Sequence, residues 1–510
     1  MELKFITFSK NNIIYIVLYA LLGFVIYSNS INGSFLLDDN FLIVENTHIK
    51  NPSRFYLVFK EDIGAGADYL YNYYRPIFTT TFIADYALYK LNPAGFHITN
   101  ILLHILTGLS LCWLIHLLFN NKILSYIAGI LFLIHPIQTE AVAYISGRAD
   151  ILAGLFTILC FCFYILFNKE KKPEDYFSML FCFICALLSK ESSIVIPALF
   201  LLYHYIFKIK ASLQTFMPIL AATAIYIFLH QIIINTSSHI SSQSIYTGTL
   251  YFFKSLPIYL KIITAPFGLH YDYGKPALIF KNSEIVLGLA VFIILILVFF
   301  FKRKTNKLLS FSIIWFLLTL IPSLNFYPTS YYMAEHYLYL PIAGFTLVIS
   351  NYLYNAYIKN KQITIICICI IFIFYSALTV QQNKYWKNPA SLYERILKYN
   401  SKSMLAYNNM ANFYARNKNY NEAFNYYKKA LAITPRPANI YYNMGETYKI
   451  IGEIEKAIVA YKKAIAIDPY YIEAYYNLAA LEKNKKKAFV YYKKGTAAKK
   501  LQSLMSKTKN

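Results

Sequence analysis

The sequence predicts an all-α membrane protein, a polytopic helical bundle of about eleven spans followed by a short solenoid of helical repeats. Three observations carry this reading. The chain has 510 residues, of which 57% are hydrophobic and only 15% charged, against about 25% charged in ordinary soluble domains. Its mean hydropathy is positive, and several apolar stretches approach or exceed the ~20 residues a spanning helix needs. The last fifth repeats on itself and is basic: residues 401–510 hold 20 Lys+Arg against 7 Asp+Glu, more than half of the net charge of +24.

The expected spans are 12–31, 96–119, 122–135, 149–167, 175–189, 191–207, 213–235, 283–301, 308–324, 337–356 and 362–380. The first is too long and lacks the small-residue site of a cleavable signal, so it reads as a retained span. The apolar stretch 249–268 carries Lys254, Pro257, Lys261 and Pro266 and reads as interfacial or re-entrant. Cys160, Cys162, Cys182, Cys185, Cys367 and Cys369 lie inside apolar runs, where cysteine acts as a small hydrophobe. Short basic loops face the cytoplasm. Lys4 and Lys10, Lys122, "KEKK" (169–172), Lys208 and Lys210, "KRKTNK" (302–307), and Lys359 and Lys361 share one side if 249–268 does not cross. That scheme puts the C-terminal repeats on the opposite, extracytoplasmic side, which a long translocated domain tolerates despite its charge.

At an offset of 34, Tyr407 meets Tyr441 and Tyr475, and Met410 meets Met444 and Leu478. Ala411 meets Gly445 and Ala479; Ala423, Tyr427, Ala430 and Pro435 meet Ala457, Tyr461, Ala464 and Pro469. Small residues let antiparallel helices approach, tyrosines fill between them and proline ends each unit. The period and pattern resemble tetratricopeptide repeats. Repeats are expected at 403–437 and 438–471, with a degenerate third at 472–500 whose first helix or turn is shortened, then a basic tail. A linker helix is expected over 381–402, after a membrane domain at 1–380. The basic repeats read as a solvated array near anionic lipid rather than a nucleic-acid surface.

Ionisable residues at span edges gather on the predicted outer face: Asp38, Asp39, Arg75, His97, His104, His135, Glu140, Arg148, Asp150, Lys190, Glu191, Glu335 and His336. Charge beside hydrocarbon is costly and commonly lines a polar cavity. The competing reading is structural pairing, such as Glu140 with Arg148, or Lys190 within the surroundings of Glu191. Zinc-type spacing is missing, since His135 and Glu140 are five apart. Asp38–Asp39 is able to hold Mg²⁺ or Mn²⁺ through one carboxylate, though adjacent loop acids alone are weak evidence. No P-loop, Gly-x-Ser-x-Gly elbow or dinucleotide fingerprint occurs. An aspartate at the mouth of a membrane cavity suits general-base work on an acceptor hydroxyl attacking a sugar's anomeric carbon. Arg75, Arg148 and Lys190 are candidates to stabilise a departing lipid phosphate. One base with direct displacement predicts inversion.

Five segments carry a family resemblance: "FLLDDNFLIVEN", "YRPIFTTTFIADYALYKLNPAGFHITNILLH", "HPIQTEAVAYISGRADILAGLF", "LLSKESSIVIP" and "AEHYLYLPIAGF". In this order, with repeats following, the chain resembles the transmembrane and tetratricopeptide-repeat O-mannosyltransferases, which are membrane glycosyltransferases of GT-C fold. The resemblance implies a polyprenyl- or dolichyl-phosphate-linked mannose or other hexose as donor. It also implies Ser/Thr hydroxyls of extracytoplasmic proteins as acceptors, and an acidic catalyst in the first outer loop. Asp38 and Asp39 match that acidic pair; which is the base stays open. Among the other outer-face residues in the quoted segments, Arg75, His135, Glu140, Arg148, Asp150, Lys190, Glu191, Glu335 and His336 are candidate donor- or acceptor-binding groups, and the repeats would hold the acceptor or a partner. Animal members of the family carry many more repeats than this chain.

Two other classes compete. A non-catalytic membrane scaffold recruiting proteins through its repeats would make Asp38–Asp39 a polar cap, and a transporter would use the buried charges as a pathway. The first outer loop, 32–95, is expected to fold onto the membrane as short amphipathic helices covering the donor site, given its run "DYLYNYYRP". The membrane would be the plasma membrane of a prokaryote or the endoplasmic reticulum of a eukaryote.

Overall fold

A computed structural model of the chain describes residues 10–234, 242–274, 282–324, 332–433 and 437–508. Lys4 and Pro435, which enter the readings above, lie outside the described residues. Every regular element among the described residues is helical. Two compact units divide the chain: one takes in residues up to Ile234 and Ile240–Asn388, the other Pro389–Asn510.

The first unit begins with α1 (Lys10–Tyr27), α2 (Thr47–Lys50), α3 (Pro76–Tyr89), α4 (Pro93–Phe119) and α5 (Lys122–Ile134). It continues with α6 (Thr139–Ala143), α7 (Arg148–Glu170), α8 (Pro173–Ser189), α9 (Ile196–Phe207) and α10 (Leu213–Ile234). After these come α11 (Ser242–Thr264), α12 (Asn282–Lys302), α13 (Lys307–Leu320), α14 (Ile342–Lys359) and α15 (Lys361–Asn383). Asparagine sets many boundaries. Asn92, Asn121, Asn306 and Asn360 each accept a hydrogen bond from the first turn that follows. Asn120 ends α4 in the left-handed conformation, directly before the Asn121 cap of α5.

A helix occupies each expected span, but length and apolarity single out six as crossing alone: Ile13–Ser30, Pro93–Phe119, Ile145–Glu170, Leu213–Ile234, Ser283–Lys302 and Lys361–Trp386. Lys122–Ile134 with Pro136–Ala143, bent by 51° at the break, makes a seventh candidate. The expected eleven crossings are not established by these criteria, since Glu191–Phe207 and Lys307–Ser323 are shorter apolar helices. α4 and α7 bury most of their surface, whereas α10, α12 and α15 keep theirs outside. So much exposed hydrocarbon suits lipid, not water, and the chain is a membrane protein. α11 is one continuous helix through Pro257, and its Phe253 carbonyl lies against Gly288 of α12.

Basic loops gather at one end of this unit. Arg303 donates to the Tyr205 hydroxyl, Lys307 lies 5.8 Å from the Phe207 ring centroid, and Lys169 Nζ donates to the Leu117 carbonyl at 3.0 Å. Elsewhere in the same unit the loop 32–95 folds as short helical turns around Ile43, Ile49, Ile63, Phe78, Phe82 and Phe96. Ser34 N–H donates to the Lys387 carbonyl, tying the loop to the end of α15.

The second unit holds α16 (Pro389–Tyr399), α17 (Met404–Arg416), α18 (Tyr420–Leu431), α19 (Ala438–Ile451), α20 (Ile454–Ile467), α21 (Ile472–Leu481) and α22 (Lys485–Thr508). Ala411, Ala423, Ala430, Ala457 and Ala464 are fully buried at the helix contacts. The period of 34 extends to polar pairs. Tyr427 donates to Asn412 at 2.6 Å and Tyr461 to Glu446 at 2.5 Å. The period contracts at α21, ten residues long against fourteen for α19. A Cβ on Gly445 would lie 2.6 Å from the Tyr461 ring. Gly445→Leu is therefore expected to cost about 1–3 kcal/mol by overpacking. Faster amide exchange across α19 and α20 in the full chain, with exchange in α4 and α7 unchanged, would register it; unchanged exchange in α19 would contradict it.

Candidate active site

The acidic pair sits on a tight turn. Asp39 N–H donates to the Leu36 carbonyl at 2.9 Å, and Leu36 N–H returns a bond to Asp39 Oδ2 at 2.8 Å. Leu37 between them takes a φ of +47°, a conformation that bulky residues adopt only where the surroundings enforce it. This turn gives the two aspartates different fates. Asp39 is buried, and its Oδ1 accepts from Ser146 N–H at 2.9 Å and Ser146 Oγ at 2.5 Å. Both its oxygens are thus spent on the protein. Asp38 stays partly exposed. Its Oδ1 accepts from the Tyr71 hydroxyl at 3.2 Å, and its N–H donates to the Tyr144 hydroxyl at 3.2 Å. Burial pushes both carboxyls above the usual range, Asp39 to about 7 despite its three donors, and Asp38 upwards against the pull of Tyr71 and Tyr144.

Next to this pair lies a cluster of alternating charge. Arg75 grips Glu191 with both forks, Nε to Oε2 at 2.9 Å and Nη2 to Oε1 at 2.5 Å. Its guanidinium lies 4.1 Å from the centroid of Tyr73, two residues on from Tyr71. Lys190 Nζ donates to Asp150 at 2.6 Å and lies 5.8 Å from the Tyr337 ring centroid. Beyond Tyr337, His336 Nδ1 meets Glu140 Oε1 at 2.6 Å while its N–H donates to Glu140 Oε2 at 3.0 Å. Glu335 turns away and takes His270 N–H at 2.5 Å and the Tyr273 hydroxyl at 2.7 Å. Three contact groups therefore follow one another along neighbouring chain positions: Asp38 with Tyr71, Tyr73 with Arg75 and Glu191, and Lys190 with Asp150 and Tyr337.

Three of the outer-face residues do not present themselves to a ligand. Arg148 is fully buried: it pairs with Asp85 at 2.6 Å and donates to Asn100, Thr81 and the Phe96 carbonyl. The pairing with Glu140 considered above is thereby corrected, because Glu140 is taken by His336. Lys190 likewise pairs with Asp150. His135 is fully buried, with Nε2 on the Ile263 carbonyl at 2.9 Å and Nδ1 accepting from Ile137 N–H; it caps the helical turn after the α5 break. His104 is similarly spent between Tyr339 and the Leu133 carbonyl. Residues absent from the expected site are Tyr71, Tyr73, Tyr144, Ser146 and Asp62. The first four lie inside segments already conspicuous by sequence, whereas nothing marked Asp62 among the loop's acids.

Among the described residues no group of three or more His, Cys, Asp and Glu side chains forms a metal-binding set. Asp38 and Asp39 aim their oxygens at different partners, so the pair presents no shared chelating face.

The C-terminal unit matches two tetratricopeptide-repeat families, over residues 403–470 and 445–501. The chain also has curated relatives. The human protein O-mannosyl-transferase TMTC3 is 23% identical over 450 residues, covering 78% of this chain and 49% of the relative. The Caenorhabditis elegans protein O-mannosyl-transferase F38B6.6 is 24% identical over 394 residues, covering 73% and 56%. The human protein O-mannosyl-transferase TMTC1 reaches 35% over 193 residues, covering 35% and 22%. The chain spans about half the length of the first two relatives. By these matches the chain is a relative of the protein O-mannosyl-transferases, to which it is similar over most of its length, and its C-terminal unit carries tetratricopeptide repeats.

Proposed function

We propose that this protein is an integral-membrane glycosyltransferase. It moves a hexose, mannose in the first instance, from a polyprenyl- or dolichyl-phosphate donor to Ser/Thr hydroxyls of extracytoplasmic proteins. The observation that carries the reading is the partly exposed Asp38 carboxylate, oriented by Tyr71 and Tyr144 in the same loop whose Tyr73 packs on the guanidinium of the Arg75–Glu191 pair. In this mechanism Asp38 takes the proton of the acceptor hydroxyl as its oxygen bonds to the anomeric carbon. The bond from that carbon to the phosphate oxygen breaks on the opposite face, and the configuration inverts. Charge developing on the lipid phosphate is met by Arg75 and Lys190, whose carboxylate partners hold them ready. Asp39 positions the turn. The repeats hold the acceptor protein, and the membrane is a prokaryotic plasma membrane or a eukaryotic endoplasmic reticulum.

The test is transfer from mannosyl-phosphoryl-polyprenol to a Ser/Thr peptide library by the full chain in lipid nanodiscs. Expected is a glycosylated peptide whose anomeric configuration is opposite to the donor's. A folded protein inert with every hexosyl donor, or a retained configuration, would overturn the reading. Arg75→Gln is expected to raise the donor KM about tenfold or more, since hydrogen bonds to charged groups contribute about 1.5–3 kcal/mol. An unchanged donor KM would remove Arg75 from the phosphate site.

A further inference from the structure

Resting on that reading, we infer that an aromatic shelf formed by Phe41, Tyr69 and Leu70 is the docking platform for the acceptor polypeptide. The Tyr69 ring stacks on Phe41, with centroids 4.8 Å apart at 17°, and Tyr69 meets Tyr71 at 4.7 Å. Tyr71 in turn donates to Asp38. The shelf therefore leads from the surface straight to the proposed base. Phe41 is 36% exposed, Tyr69 45% and Leu70 71%, so apolar surface lies uncovered beside the acidic turn.

The shelf is also rigid. Asp62 accepts three backbone N–H groups from the same loop: Gly64 at 2.8 Å and Tyr71 at 3.0 Å on Oδ1, and Tyr73 at 2.9 Å on Oδ2. Tyr69 N–H donates to the Gly64 carbonyl and Ile63 N–H to the Tyr73 carbonyl. The run 69–73 is thus pinned against 62–64. A Cβ on Gly64 would come within 2.5 Å of the Tyr69 carbonyl and 2.7 Å of the Tyr71 ring. Such close fixation lowers the ordering cost of binding.

Position and chemistry select the occupant. The cation suited to a lipid phosphate is carried by Tyr73, whereas the Phe41–Tyr69 stack carries aromatic and aliphatic surface without a cation on either ring, which suits the other substrate. An exposed leucine gives nothing to sugar hydroxyls but packs against an apolar side chain flanking the acceptor hydroxyl. A polypeptide with aliphatic residues next to its Ser or Thr fits both.

The test compares two synthetic peptides as acceptors for the full chain in nanodiscs, one with Thr between Ile or Val residues and one with Thr between glycines. Wild type is expected to show a lower KM for the aliphatic peptide. Tyr69→Ala and Phe41→Ala should each raise that KM about fivefold or more and erase the preference. Tyr69→Phe, which keeps the stack, should restore it, and the donor KM should stay put. A Tyr69→Ala protein with an unaltered preference would overturn the inference while leaving the glycosyltransferase reading intact. A change in donor KM instead would give the shelf to the lipid and overturn it equally. Failure of wild type to glycosylate either peptide would remove the reading itself, and this inference with it.

Discussion

Asp38→Asn is expected to lower sugar transfer by about 10²–10⁴-fold, the usual range for removing a positioned base, with the melting temperature nearly unchanged. The amide is close in shape, keeps an oxygen for the Tyr71 hydroxyl and leaves the backbone bond to Tyr144 in place. What it loses is the ability to take a proton. Asp39→Asn should behave differently. Both Asp39 oxygens accept from N–H or O–H donors, so an amide NH₂ must face either Leu36 N–H or the Ser146 pair. Donor against donor in a buried turn opens it. A lowered melting temperature together with lost transfer is expected there. Equal stability and equal activity loss in the two variants would contradict the division of labour. The pH dependence follows. Asp38 works as a base only when ionised, and burial lifts its pKa, so transfer should rise with pH along an acid limb displaced above the ordinary carboxylate range. For stability, the folded pKa of Asp39 is about 7, above the roughly 3.9 of an unfolded aspartate. The folded chain therefore holds that proton more tightly. The Asp39 contribution is complete below about pH 4 and fades as pH rises through 7. Thermal unfolding at pH 5 and pH 8, with Asp39→Asn as control, measures it.

Much of this architecture is written in local pattern. Apolar runs between asparagine caps mark the helices, as at Asn120–Asn121 between α4 and α5. The 34-residue offset marks the repeats, down to the alanines at their contacts. The acidic pair is conspicuous because two carboxylates follow a span so closely. Partner choice is not local. Arg148 meets Asp85, 63 positions earlier, rather than nearby Glu140, because α3 folds back beside α4 and α7. His135 resembled a site residue because a histidine in a membrane segment is costly, yet it serves as a cap, a role sequence rules assign to Ser, Thr, Asp and Asn. Asp62 is a single loop acid in sequence; only the folded loop brings three N–H groups onto it. The unequal roles of Asp38 and Asp39 likewise depend on Ser146, which arrives from the start of α7 side.

Arg148→Met is expected to be the most damaging single change for stability, at about 3–5 kcal/mol, the cost of leaving one partner of a buried ion pair uncompensated. The guanidinium serves four acceptors: Asp85 Oδ2 at 2.6 Å, Asn100 Oδ1 at 2.6 Å, Thr81 Oγ1 at 3.2 Å and the Phe96 carbonyl at 2.9 Å. It also lies 4.6 Å from the Phe82 ring centroid. Asn100, held by Arg148, donates in turn to the carbonyls of Val142, Tyr144 and Ile145. The loop bearing Tyr144 and Ser146 is thereby fixed by a fully buried residue. Arg148→Lys should recover little, because one ammonium group cannot reproduce the fork. Asp85→Leu combined with Arg148→Met should recover much of the loss, since it removes the orphaned carboxylate. Melting of the four proteins in one detergent tests this, and Arg148→Met unfolding at the wild-type temperature would refute it. Transfer by the stabilised double variant then separates two roles. Stability regained without activity makes Arg148 a positioning residue acting through Asn100 and the 142–146 loop on Asp39. Activity regained with stability confines it to holding α3, α4 and α7 together.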